Sequence, residues 1–157
     1  MIEVLNAEIS VIGIVIAAIA NIFLGMIWYG PLFGKEWMRL VGIKKEDTEP
    51  NPSSYAISIG SALLTASVMS LFISYGYISS LLGDLNDGGI LFGKWEDYIA
   101  GIMVAMLAWL GFIVTSSYNK VLWESSDRKL FMINAFHQLA SLIIMGVIVA
   151  VSMDLKV

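Results

Sequence analysis

The sequence predicts an all-α polytopic membrane protein, a four-transmembrane-helix bundle with a short interfacial helix after the first span. Three observations predict it. No Asp, Glu, Lys or Arg occurs from Ile9 to Gly34, Pro50 to Gly83, Tyr98 to Asn119 or Leu130 to Met153, runs of 26, 34, 22 and 24 residues. A helix rises about 1.5 Å per residue, so about 20 apolar residues cross the roughly 30 Å hydrocarbon core, and each run holds one crossing. Hydrophobic residues make up 58% of the 157-residue chain and the mean hydropathy is +0.80, which leaves too little polar surface for a water-facing fold. Amphipathic rings also collect at the ends of the runs. Trp28, Tyr29, Trp37, Tyr55, Tyr118 and Trp123 mark one edge, and Tyr75, Tyr77, Trp95 and Tyr98 the other. Such rings prefer the headgroup level, so they report depth and act as interface anchors.

The first span is expected over residues 9–29. Its flank carries Glu3 and Glu8 but no Lys or Arg, the wrong charge for a signal peptide, so Ala18-Ile19-Ala20 is read as part of a retained span. Gly30-Pro31 is expected to stop it, since Gly caps a helix end and Pro cannot continue one. From Leu32 to Val41, Phe33, Trp37, Leu40 and Val41 recur at helical spacing, away from Lys35, Glu36 and Arg39. That pattern suits a short helix lying in the interface. The second span is expected over 55–80, tilted or frayed at its Gly76 and Ser79-Ser80 end because its run exceeds one crossing. Gly83, Asp84, Asn86, Asp87, Gly88 and Gly89 form a turn-rich loop. Spans three and four are expected over 98–118 and 130–151, so residues 1–157 form a single integral membrane domain.

Loops 35–51 and 120–129 carry seven of the nine Lys and Arg residues. Positive charge stays on the cytoplasmic side, so these loops are expected inside and both termini outside. The net charge of −4 and the lack of a basic arm exclude a nucleic-acid partner. The lipid bilayer is the partner the composition demands.

Small residues predict where helices meet. Ser58, Ala62, Ala66, Ser70 and Ser74 recur every fourth position in span two, and Gly101 with Ala105 and Gly146 with Ala150 repeat the spacing. In lipid, close backbone approach through such rows drives association, within one chain or between copies. A faint internal duplication pairs Leu24-Gly25 and Trp37 with Leu110-Gly111 and Trp123.

Candidate chemistry centres on span four. His137 is the only ionisable side chain within the spans apart from tyrosines, and Asn134, Gln138 and Ser141 share its helix face at i, i+3, i+4 and i+7. Polar groups in hydrocarbon need partners, so this face should point inward, toward Asn21 of span one and Asn119 at the end of span three. Such a cluster serves as a ligand-binding or proton-relay site, or else as interhelical hydrogen bonds that fix helix rotation. With no cysteine and one histidine, no metal site or cofactor is expected. No Ser/His/acid set and no phosphate-binding loop is present, so no catalytic residue is assigned and an enzyme is the least supported class. A homo-oligomeric transporter- or channel-like bundle and an accessory subunit of a larger membrane complex remain.

The stretch Trp28-Tyr29-Gly30-Pro31-Leu32-Phe33-Gly34-Lys35-Glu36-Trp37-Met38 resembles the W-Y-x-P-x-x-F-G-K-x-W-like motif of a prokaryotic family of four-span membrane proteins of unknown function. Here Pro31 and Phe33 stand one residue closer than in that pattern. Phe131 to His137 is similar to the polar start of that family's last span. The resemblance implies a membrane bundle in a prokaryotic cell membrane and no established activity.

Overall fold

The computed structural model describes residues 2–4, 7–44, 52–74 and 96–154. Two three-residue strands, β1 (Ile2–Val4) and β2 (Ala7–Ile9), pair antiparallel with Ile2 opposite Ile9. The elements described after them are helices: α1 (Val11–Ile27), α2 (Gly34–Val41), α3 (Pro52–Ser74), α4 (Glu96–Ala108), α5 (Thr115–Trp123) and α6 (Arg128–Asp154). Two π-helical segments, Trp28–Leu32 and Trp109–Val114, continue α1 and join α4 to α5. Among the described residues, four helices are long and apolar enough to cross a membrane, over Val11–Leu32, Pro52–Ile73, Gly101–Trp123 and Arg128–Ser152. The protein is therefore a multi-pass membrane protein whose spans contact the bilayer.

Local chemistry explains the element ends. Ser10 caps span one, its side-chain oxygen accepting from the Gly13 N–H at 3.1 Å. Pro52 opens span two, where its missing N–H costs nothing. Helix α2 ends at Gly42, whose φ of +80° is left-handed and suits a residue without Cβ.

The Gly30-Pro31 stop is corrected by the structure. Span one runs on through both residues in a widened turn, with the Phe33 N–H donating to the Trp28 carbonyl at 2.9 Å. An i to i−5 bond accommodates the missing Pro31 donor, so the chain is redirected rather than broken. Span three also exceeds its expected end and reaches Trp123, which shortens the last connector to Glu124 to Asp127. Residues 75–80, the far end expected for span two, and the loop from 83 to 95 lie outside the described residues.

Span four is the central element and packs against each of the other three. Ala17, Ala66, Met145 and Val149 join spans one, two and four in one core. Met69, Val104, Ala105 and Leu142 join spans two, three and four in another. At Gly101 and Gly146 the backbones of spans three and four touch so closely that a Cβ on either would overlap the other's carbonyl. Large apolar side chains elsewhere, Ile57, Leu64 and Phe112 among them, face outward as a lipid-contacting surface requires.

Candidate polar site between spans one and four

The seam between spans one and four is built from their ends inward. The widened turn at Trp28–Leu32 swings two rings of span one toward span four. The Trp28 indole N–H donates to the Ile133 carbonyl at 3.1 Å, and the Tyr29 hydroxyl donates to Asn134 Oδ1 at 3.1 Å. Two turns further along span four, Ser141 Oγ donates to Asn21 Oδ1 at 2.6 Å.

Between these two pairs sits His137. Its side chain is 9% exposed, and its imidazole lies against Tyr29 and Trp28 with ring centroids 4.7 and 5.7 Å away. Neither ring nitrogen has a hydrogen-bond partner among the described residues. Gly25 faces Nε2 and leaves room there, since a Cβ on Gly25 would stand 3.7 Å from that nitrogen. The walls are aromatic and polar but uncharged. Among the described residues no group of three or more His, Cys, Asp or Glu could hold a metal ion.

The Trp28–Tyr29 end of the seam is clipped by charge. Glu36 of α2 accepts from Lys129 Nζ at 2.6 Å and from Arg39 at 2.7 and 2.9 Å. The hydrogen bonds from Arg39 and then Lys129 hold the Glu36 carboxyl well below the usual range, at about 2. The same carboxylate raises Arg39. Beyond Ser141 the seam turns apolar, packed by Ala17, Met145 and Val149 as far as Ser152.

Of the residues expected here, Asn134, His137, Ser141 and Asn21 come together. Gln138 and Asn119 do not, and both are exposed. The contact face of span four is narrower than the sequence pattern implied. His137 faces span one, and the next residue lies about 100° around the helix. Asn119 follows the π segment of span three, where the wider turn rotates all later positions. In span two, Ala62, Ala66 and Ser70 are buried, whereas Ser58 is exposed and the Ser74 side chain lies outside the described set. Trp37 packs on Tyr29 at 5.4 Å, and Trp123 is 83% exposed at the end of span three. Trp28 and Tyr29 turn their polar atoms toward span four.

Sequence reasoning missed the two indole donors. Trp109 donates to the Ala135 carbonyl at 2.7 Å, two residues from the carbonyl that Trp28 uses. Each Trp opens a π segment and is followed two residues later by Gly, Gly30 or Gly111. That shared Trp-x-Gly is the signal that could have found them. It lies in a different register from the Leu-Gly duplication.

The family described as "Protein of unknown function (DUF1761)" matches the chain over residues 12–150. No curated protein and no solved structure matches it.

Proposed function

The chain belongs to this family of unknown function, and we propose that it is a small transporter- or channel-like bundle, working as a homo-oligomer, with its polar site at His137. One observation carries the reading. A side chain able to take up and release a proton is buried in a membrane span with neither nitrogen partnered among the described residues, while the polar groups on either side of it are paired. Burying an unpaired polar group costs about 1–3 kcal/mol, so a purely structural seam would favour an apolar residue at this position. Tyr29 and Trp28 then hold the imidazole ring, and because both nitrogens are closed to water in this state, a proton carrier reaches Nε2 only when the helices part beside Gly25.

The apolar stretch beyond Ser141 argues that passage across the membrane needs helix movement or a second copy. Ser58 and Ser61, exposed small residues of span two, leave room for close backbone approach by a second copy. The same surface suits a different membrane partner, which is the accessory-subunit reading; native mass and co-purifying chains in mild detergent separate the two. The basic split supports both termini outside and loops 35–51 and 120–129 in the cytoplasm.

The test is proton flux into vesicles carrying a trapped pH dye, driven by a potassium diffusion potential. Wild type is expected to conduct. His137→Gln keeps hydrogen bonding but cannot titrate, and should fold and lose flux. Gly25→Ala places a methyl in ordinary contact with Nε2 and should reduce flux without unfolding. Wild-type flux in the Gln variant would make His137 an interhelical fastener and end the relay reading.

A further inference from the structure

Beside the polar seam, an open groove of about 540 Å³ runs along span four. Trp28 and Phe33, with ring centroids 4.9 Å apart, form one wall at the end of span one. Its floor is a single face of span four, Met132, Phe136, Ala140 and Ile143, spaced i, i+4, i+8 and i+11. Met132 and Phe136 are nearly half exposed, so the floor is open to whatever surrounds the helix. Apart from Lys129, the lining is hydrocarbon and aromatic, and Lys129 stands at one end.

Length and charge together identify an occupant. From Lys129 to Ile143 the helix advances about 21 Å, more than half of the roughly 30 Å hydrocarbon core. A chain hanging from headgroup level at Lys129 therefore stays in the groove to the midplane. At the mouth, Glu36 is shared between Lys129 and Arg39, Asp127 Oδ1 accepts from the Lys129 backbone N–H, and Arg128 is exposed. Three cations thus face two carboxylates at the N-terminal turn of a long helix, where the helix dipole adds positive potential. A helix from a second copy would have to bring its own carboxylate to this depth. A phosphodiester brings a permanent negative charge on a hydrocarbon tail.

We propose that this groove is a binding site for an anionic phospholipid, with one acyl chain along span four and the phosphate at Lys129 and Arg128. The site is independent of any transport through His137. On the proposed orientation its mouth faces the cytoplasmic leaflet, where anionic lipid is attracted to basic residues.

The experiment compares spin-labelled phosphatidylglycerol with spin-labelled phosphatidylcholine in vesicles holding the full chain, reading the motionally restricted fraction of each. Wild type should prefer phosphatidylglycerol, and Lys129→Gln should lower that preference about fivefold. Glu36→Gln breaks the same ion pair but frees Lys129, so the preference should hold or rise. Ala140→Phe fills the floor and should lower retention of both lipids. Equal retention of the two lipids by wild type would overturn the proposal, as would a loss in Glu36→Gln matching that in Lys129→Gln. Unchanged retention in Ala140→Phe would also overturn it, as would a groove occupied by a second copy, which restricts neither lipid.

Discussion

Gly146→Ala adds one methyl where span four crosses span three, and its effect follows from the spacing at that crossing. The new Cβ would stand 2.5 Å from the Gly101 carbonyl oxygen and 3.1 Å from the Met69 Cε. The Met69 methyl is the end of a flexible side chain and can move aside, but the Gly101 carbonyl is helix backbone. Opening that gap from 2.5 Å to an ordinary contact of about 3.4 Å separates the helices by about 0.9 Å. A gap of 0.5–1 Å forfeits about a quarter to a half of the dispersion attraction across it. Met69, Val104, Ala105 and Leu142 all lie at this crossing and share the loss. Overpacking of this kind costs about 1–3 kcal/mol. The control is Gly60→Ala in span two, where an added Cβ meets nothing within 4 Å. There the better helix propensity of Ala should stabilise by about 0.5–1 kcal/mol. Unfolding in mixed micelles of rising dodecyl sulfate content, followed by far-UV circular dichroism, measures both. Two identical substitutions should move stability in opposite directions. A Gly146→Ala variant as stable as Gly60→Ala would refute the Gly101–Gly146 contact.

Acidification should release α2 from span four. The Glu36 carboxyl lies at about 2 against an ordinary 4.5, so its stabilisation is fully present above about 4.5 and is lost as pH falls through about 2. The difference in thermal midpoint between wild type and Glu36→Gln should therefore shrink over that window, and should shrink with added salt because the pair is solvent-facing. A difference that grows on acidification would contradict the ion-pair geometry. Topology is checked with single cysteines at Lys44 and Arg128 in a chain that has none of its own. Both should resist an impermeant thiol reagent in intact cells, and a reporter after Val157 should be external. Labelling of those cysteines from outside would invert the orientation.

The number of spans and their approximate limits were readable from the sequence, because the cost of placing a charge in hydrocarbon is paid segment by segment. Each uncharged run became a span whatever its neighbours did. That Asn134, His137 and Ser141 face span one was partly readable for the same reason, although only Asn134 and Ser141 find hydrogen-bond partners there and His137 finds none among the described residues. Only the tertiary structure decided which polar residues meet. Gly30-Pro31 reads as a stop in isolation, yet packing against span four holds it as a π turn that aims Trp28 and Tyr29 at Ile133 and Asn134. A second π turn at Trp109 rotates Asn119 away, although its depth at the end of span three placed it near the site. Gln138 is exposed, about 100° around the helix from His137. Helical spacing sets the angle between side chains on one helix, but the rotation of that helix against its neighbours is chosen by contacts far apart in the chain, such as Gly101 on Gly146.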